Sequence, residues 1–431
     1  MTSLARLLLV AGRGSLVVAA AMFHPRPATC DPRPPAPQSA SAPGLRVYLI
    51  TVGQGDPVWE KFGHNALWFV DGAGVDEAYN WGVFDFNQPR FLQRFLTGDT
   101  RYWVEAYPGA PLIEYYRRAD RSVVLQRLNL TVEQAQRALA YVRWNARDEH
   151  KFYRYDYFRD NCSTRVRDVI DLALNGALRG ATSTTRTAFT YRSESVRLVD
   201  DLTFTQLGIT TALGEPADTR LTLWQSMFIP MRMRDILRGL RVPGPNGARV
   251  PVVSSEQTIY VSRQYVERTS VPTLWIPYLV AGLLLAIEFG TVGRLQQRGA
   301  AIATIFRIEV LIWSVIAGLL GMVLLLAWTS TRHVFWYRNE NLLLVNPLSL
   351  WLALLVGLSW RRPRYVRPAA IVAAVIAAMG VLALALKALP PFTQNDFATI
   401  ALILPAHLAI AVSLWRGTPV TVTDQRSATL A

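Results

Sequence analysis

One cysteine stands at the predicted start of a helix and is a candidate nucleophile. Cys162 follows Asp160 and Asn161, either of which is suited to cap the helix that is predicted to begin at Cys162 and to continue to Leu174. At that end the helix dipole favours a thiolate. Nearby positive charge comes from Arg159, Arg165 and Arg167. The stretch is therefore typical of thiol catalysis.

Structural roles for the cysteines remain open at this point. The only other cysteine is Cys30, and in an oxidising compartment two cysteines can pair. Cys162 could instead be a small buried apolar residue. The stretch "RPATC" that ends at Cys30 fits a lipidation site poorly. The sequence does not decide whether Cys30 is paired, lipidated or free.

A thiolate nucleophile needs a base, and the chain has few histidines. His64 follows Gly63 and begins a short apolar strand, which would hold its imidazole at a sheet edge. His150 lies in a polar stretch and is expected to be solvated. A strand histidine facing a helix-start cysteine is the arrangement of papain-like sites. In this chain the histidine precedes the cysteine, which is the order found in circularly permuted members of the papain-like superfamily.

The elements around these two residues predict an α+β domain. Apolar, alternating or β-branched stretches at residues 45–53, 64–70 and 76–84 predict strands, and "DGAG" suits a hairpin turn between the last two. An amphipathic helix follows Thr131, which forms a capping box with Gln134. Strands come early and helices late, which is typical of α+β folds.

The second part of the chain is predicted to lie in a membrane. Five apolar runs are long enough to cross a bilayer. They are Thr273–Phe289, Ile308–Trp328, Leu342–Trp360, Ala369–Leu389 and Phe397–Trp415. The predicted organisation is a signal peptide or anchor (1–24), a Pro-rich linker (25–44), a catalytic periplasmic domain (45–180), an extension or lid (181–271), a transmembrane domain (272–416) and a cytoplasmic tail (417–431).

Arginines in the short loops set the orientation. They crowd the first and third connections between spans and are missing from "PPFTQND" in the fourth, so odd connections are predicted to be cytoplasmic. The domain before the spans then faces the periplasm. The loop after the second span faces the same side and carries His333, Trp336 and Arg338, which we expect to contact lipid head groups.

The net charge of +14 does not indicate nucleic-acid binding. The basic residues are spread out or flank the spans, and no nucleic-acid-binding motif is present, so attraction to anionic lipids is the better interpretation. Histidines and acids show no ligand spacing, so no metal or other cofactor is predicted.

Several ordered motifs resemble one family. "FGHNALWFV", "YNWGVFDF", "RLNLT" and "FYRYDYFRDNCSTRVRD" are similar to the periplasmic domain of Lnb-type bacterial lipoprotein N-acyltransferases, and "TRHVFWYRNENLLLVNPL" continues the resemblance in the membrane part. The motif that contains His64 and the motif that contains Cys162 are also similar to the corresponding motifs of lecithin:retinol acyltransferase-like enzymes. The resemblance implies a permuted papain-like Cys-His acyltransferase, with Cys162 as nucleophile and His64 as base. It would move an acyl chain from a phospholipid to the N-terminal amine of a diacylglyceryl lipoprotein at the inner membrane.

The other site residues are assigned by position. Asn80, on the strand after the histidine strand, could accept the Nδ1 proton of His64, and Asp85 is the alternative; a turn role for either stays open. Tyr155 or Asn161 could help the backbone N–H of Cys162 bind an oxyanion. A peptidoglycan amidase or peptidase, a phospholipase and a non-enzymatic scaffold remain alternative functions.

Overall fold

A computed structural model describes residues 44–244 and 247–417. The predicted leading segment, nearly all of the linker with Cys30, and the tail after Gly417 lie outside the described residues. The strands are β1 Arg46–Val52, β2 His64–Val70, β3 Asp76–Val83, β4 Arg101–Tyr107, β5 Val123–Leu128, β6 Phe152–Arg154, β7 Arg186–Thr190, β8 Arg220–Thr222, β9 Arg241–Pro243, β10 Arg249–Pro251 and β11 Val253–Tyr260. The helices are α1 Phe91–Thr97, α2 Gly109–Arg118, α3 Val132–Asn145, α4 Cys162–Ala173, α5 Ala177–Thr182, α6 Tyr191–Leu198, α7 Thr203–Ala212, α8 Leu223–Ser226, α9 Pro230–Gly239, α10 Trp275–Leu295, α11 Ala300–Ser330, α12 Leu348–Ser359, α13 Val366–Leu386 and α14 Phe397–Arg416.

The domain before the spans is built on a seven-stranded antiparallel sheet. Its strand order is β11-β5-β1-β2-β3-β4-β6. The predicted hairpin between β2 and β3 is confirmed: the Asp71 carboxylate accepts hydrogen bonds from the N–H groups of Ala73 and Val75, and Gly74 has a φ of +116°. This positive φ is the reason that a glycine suits the turn.

Helices cover both faces of the sheet. Leu67 and Phe69 of β2 face a core that also contains Val142 of α3 and Ile170 of α4. On the opposite face, Ala66 packs in a second cluster with Tyr116 of α2. Successive side chains of β2 point to opposite faces of the sheet, so this strand contributes buried residues to both cores. The predicted capping box at the start of α3 is also confirmed.

The sheet extends beyond the predicted catalytic segment. β11 pairs with β5, so part of the predicted extension completes the sheet edge. The stretch at α8 and α9, which belongs to the segment predicted to be an extension or lid, lies in the core. Its buried members include Met227, Phe228, Ile229, Met231 and Met233.

The prediction of a five-helix membrane part is confirmed by five long apolar helices between residues 275 and 416. Close helix approach depends on small residues. A β-carbon on Gly282 of α10 would lie 2.3 Å from the carbonyl oxygen of Ala401 on α14, and one on Gly293 would lie 2.3 Å from Ser413 Oγ. These glycines therefore allow α10 and α14 to pack backbone to backbone.

The outward ends of the membrane helices are bonded to the sheet-containing domain. The Asn339 side chain donates to the carbonyls of Thr211 and Ala212 at the end of α7. The N–H of Gly214 donates to the carbonyl of Phe335 over 2.7 Å, and Arg332 N–H donates to Thr97 at the end of α1. These bonds hold the domain at the ends of the spans that the sequence predicts to face the periplasm.

A buried ion group lies at one end of the membrane part. The ammonium of Lys387, just after α13, pairs with Glu340 and lies 2.7 Å from Asp396. All three side chains are nearly or fully buried. The group joins the outward loop to the ends of α13 and α14. A buried charge is tolerated only when it is paired with an opposite charge, as it is here.

Candidate active site

Cys162 is the first residue of α4, as predicted. Asn161 is the cap, because its Oδ1 accepts from the Thr164 N–H over 2.9 Å and Thr164 Oγ1 accepts from the Asn161 N–H. Both amide protons of Asn161 are also engaged, with the carbonyls of Tyr157 and Phe228 at 3.0 Å. This cap fixes the start of the helix and leaves Asn161 no proton for an oxyanion.

His64 is the first residue of β2, where it follows Gly63 with a φ of +75°. The next residue joins this strand to the cysteine helix, since Asn65 Nδ2 donates to Ser163 Oγ over 3.0 Å. Ser163 Oγ in turn donates to the carbonyl of Met227. The chain neighbours of His64 and Cys162 are thus bonded to one another in a fully buried setting.

Burial raises the pKa of the Cys162 thiol, and hydrogen bonds from the backbone N–H groups of Asn65, Ser163 and Cys162 only partly oppose it. The expected low-pKa thiolate is therefore wrong: desolvation outweighs the helix dipole. The nearby arginines are also engaged elsewhere. Arg165 pairs with Asp160, Arg167 pairs with Asp168, and Arg159 lies over the ring of Phe335.

The side chain of Asn80 lies within hydrogen-bonding distance of His64, whereas that of Asp85 bonds elsewhere. Nε2 of His64 lies 3.0 Å from Oδ1 of Asn80, while Nδ2 of Asn80 donates to the carbonyl of Ala78. The sequence interpretation placed Nδ1 on this partner, and that detail is wrong. Asp85 is exposed and accepts from the Asn87 N–H, so it shapes the turn after β3.

The pairing with Asn80 fixes the protonation of the imidazole. An amide oxygen only accepts, so Nε2 of a neutral His64 carries the proton and Nδ1 has the free lone pair. Burial, followed by the charge of Arg121, lowers the pKa of His64 to about 4, and the Asn80 bond opposes this. At neutral pH the site therefore holds a neutral imidazole and a neutral thiol.

Arg121 is the residue that sequence reasoning missed. Its guanidinium is nearly fully buried and donates to the Gly53 carbonyl through Nε and Nη2. It also lies 3.2 Å from Glu60 and 5.2 Å above the ring of Tyr116, whose centroid is 6.1 Å from that of His64. Its position two residues before β5 was the only signal, and no short motif marks it.

Tyr155 is close to the candidate nucleophile. β3 passes Cys162 at Gly82, where an added β-carbon would lie 3.5 Å from the Cys162 β-carbon and 3.8 Å from Cε2 of Tyr155. Gly82 has a φ of +91°, which favours glycine there. Burial raises the pKa of Tyr155 well above its usual value, so its hydroxyl stays protonated and is able to donate.

His333, Trp336 and Arg338 lie away from this cluster, in the loop that follows α11. Nε2 of His333 donates to the carbonyl of Phe95 on α1, and its ring is 5.5 Å from that of Trp336. Trp336 packs in a cluster beneath α6. Arg338 is exposed, has a φ of +49° and lies 3.4 Å from Glu215. These residues join the membrane helices to the domain.

His150 is not simply solvated, as was expected. Its ring stacks on that of Trp144 with centroids 4.3 Å apart, and its carbonyl accepts from Asn145. Its packing against α3 is that of a structural residue.

Two family models match the chain. That for the Lnb N-terminal periplasmic domain matches residues 35–197, and that for the Lnb transmembrane domain matches residues 269–416. A search of curated proteins and a search of solved structures each found no match. The two matched segments together cover more than half of the chain and contain every candidate site residue.

Proposed function

Because this chain belongs to the Lnb family, whose members are membrane-bound enzymes of lipoprotein maturation, we propose that it is a lipoprotein N-acyltransferase. It would act on the outer face of the bacterial cytoplasmic membrane. The donor would be a phospholipid and the acceptor a diacylglyceryl lipoprotein. The observation that carries the proposal is the cysteine–histidine–asparagine cluster in a domain bonded to the outward ends of the membrane helices.

The first step forms a thioester. Nδ1 of His64 accepts the thiol proton of Cys162 as the sulfur attacks the ester carbonyl of the donor. The backbone N–H groups at the start of α4, with that of Asn65, lie within hydrogen-bonding distance of the sulfur and are the backbone candidates to stabilise the oxyanion that forms beside it. The oxyanion then collapses, and the lysophospholipid leaves with the proton from His64.

The second step forms an amide. The free α-amine of the lipoprotein's N-terminal cysteine attacks the thioester carbonyl and loses a proton to His64. The carbon–sulfur bond breaks, and the Cys162 sulfur recovers that proton. No residue changes its net protonation over the cycle. A neutral thiol–imidazole pair suits this cycle, since the first step starts and the second step ends with a proton on the sulfur.

The roles of the remaining residues follow from their contacts. Asn80 is a positioning residue that fixes the imidazole tautomer, and Asn161 positions the helix start. Tyr155 is the side-chain candidate for an oxyanion donor. His333, Trp336 and Arg338 position the domain on the membrane helices, and the exposed Arg338 remains a candidate for head-group contact.

Mass spectrometry tests the proposal. The protein in phospholipid nanodiscs, given a diacylated lipopeptide, should add one acyl chain to the peptide, and Cys162→Ala should abolish the gain while the protein stays folded. Without acceptor, the acyl group should accumulate on Cys162. Acylated peptide from the Cys162→Ala variant would refute the nucleophile. Free fatty acid alone would indicate a phospholipase, and cleavage of peptidoglycan fragments an amidase.

A further inference from the structure

An aromatic wall leads from the candidate nucleophile to the membrane side of the domain. The wall consists of Tyr155, Tyr102, Phe84, Phe91 and Phe95. Successive ring centroids are 4.3, 4.9, 6.2 and 6.2 Å apart. Its inner end, Tyr155, lies beside Gly82 and Cys162. Its outer end is on α1, a short helix that sequence reasoning did not identify.

The outer end of the wall is exposed and apolar. On α1, Leu92, Phe95 and Leu96 are 66%, 50% and 59% exposed. Exposed side chains of this size, side by side on one helix, are unusual on a surface that faces only water. A neighbouring pair, Trp59 and Phe86, is also more than half exposed, with ring centroids 5.7 Å apart.

The position of α1 identifies what covers this surface. The carbonyl of Thr97 at its end accepts from Arg332 N–H, and the carbonyl of Phe95 accepts from His333 over 2.9 Å. Arg332 comes two residues after the end of α11, the second membrane span. The exposed face of α1 is therefore continuous with the point where a span leaves the bilayer.

We propose that α1 lies in the outer leaflet and that the aromatic wall guides the acyl chain of the donor phospholipid from that leaflet to Cys162. This rests on the proposed function. Aromatic rings present a flat apolar surface to a chain that leaves the hydrocarbon layer, so the chain is not exposed to water on its way. The donor ester, at the head-group end of the chain, then reaches the sulfur at the inner end of the wall.

The experiment measures formation of the acyl-enzyme alone. The Leu92→Ser/Leu96→Ser variant and the wild type are placed in nanodiscs of phosphatidylethanolamine and phosphatidylglycerol without acceptor, and acylated Cys162 is followed by mass spectrometry. The variant should react about tenfold or more slowly, because the leaflet contact of two leucines is lost. With the soluble ester p-nitrophenyl butyrate both proteins should react equally. The matched control is Val132→Ser, which removes an exposed aliphatic side chain from α3.

A second measurement locates the chain directly. In the Cys162→Ala protein, a phospholipid with a photoreactive diazirine in its acyl chain should label α1 and Phe84 in addition to the spans. The proposed role of the wall would be overturned if the double variant were acylated in nanodiscs as fast as the wild type. Labelling confined to the spans would overturn it as well. If neither the phospholipid nor p-nitrophenyl butyrate acylated the wild type, the proposed function would be overturned instead. The photolabelling would still show whether the acyl chain lies along the wall.

Discussion

Nε2 of His64 faces Oδ1 of Asn80 at 3.0 Å, and the amide orientation is fixed because Asn80 also donates to Ala78. Nδ1 is therefore the nitrogen with a free lone pair that can accept a proton. The two residues are on neighbouring strands, with Asn80 opposite Ala66 in the register of β2 and β3. In the proposed mechanism, the pairing of the two strands thus determines which imidazole nitrogen would act as the base.

Asn80→Ala is expected to slow acyl-enzyme formation by about tenfold to a hundredfold, because the imidazole loses the partner that fixes its tautomer. Apparent affinity for phospholipid should stay the same, since the hydrogen bonds of the Asn80 side chain go to His64 and Ala78 and not to a residue of the aromatic wall. Asn80→Asp keeps an acceptor and should recover part of the rate. It should also move the acid limb of the pH profile upward, because a carboxylate favours the imidazolium.

Asp85→Asn is the control for Asn80, because Asp85 lies on the turn after β3 and its carboxylate caps that turn. We expect it to change the rate less than twofold, as is usual for exposed substitutions. A loss as large as that of Asn80→Ala would contradict the assignment of Asn80 as the positioning residue.

The rate of acyl-enzyme formation should stay nearly constant between pH 7.5 and pH 5.5. The His64 pKa of about 4 keeps the imidazole neutral throughout that interval. A histidine at the ordinary value of about 6.5 would be only about one-tenth neutral at pH 5.5, and the rate would fall about tenfold. The measurement is the single-turnover rate in nanodiscs at each pH, and a tenfold fall would contradict the assignment.

Replacing Arg121 should move the acid limb of the pH profile of acyl-enzyme formation. Its positive charge disfavours the imidazolium, so Arg121→Met should raise the His64 pKa and shift the acid limb upward. Arg121→Lys keeps the charge and should leave the limb close to that of the wild type. A merely structural role for Arg121 would lower the amount of folded protein in both variants without moving the limb.

The thiol itself should react slowly with small alkylating reagents. Since burial raises the pKa of Cys162, labelling by iodoacetamide should be slow at neutral pH and should still be rising above pH 9. Cys162→Ala measures the background from other nucleophiles. A plateau that begins below pH 7 would instead reveal a thiolate–imidazolium pair.

Local signals were sufficient for the elements that carry the site. The Asn161 cap and the Thr131–Gln134 capping box are read from neighbouring residues, and each is present in the structure. Apolar runs long enough to cross a bilayer identified the membrane helices for the same reason. Cys162 and His64 could be selected because each begins an element with clear boundaries.

Features that depend on distant contacts were not predictable. The direction of the Cys162 pKa shift depends on how deeply the tertiary structure buries the sulfur, whereas the sequence shows only the helix end. Arg121 approaches Glu60 and Gly53 only because β5 pairs with β1. The seven-residue helix α1 follows Arg90 in a left-handed conformation, without a side-chain cap that could mark its start.

Lys387→Met should destabilise the protein strongly. The ammonium lies between Glu340 and Asp396, and its removal leaves two carboxylates buried without their cation. Breaking a buried ion pair in this way costs about 3–5 kcal/mol. The matched control is Lys151→Met, because Lys151 pairs with the exposed Asp148 and such pairs contribute about 0–1 kcal/mol. Thermal unfolding in detergent, followed by tryptophan fluorescence, should show a much lower midpoint for Lys387→Met. Equal midpoints for the two variants would mean that the buried group does not hold the spans to the outward loop.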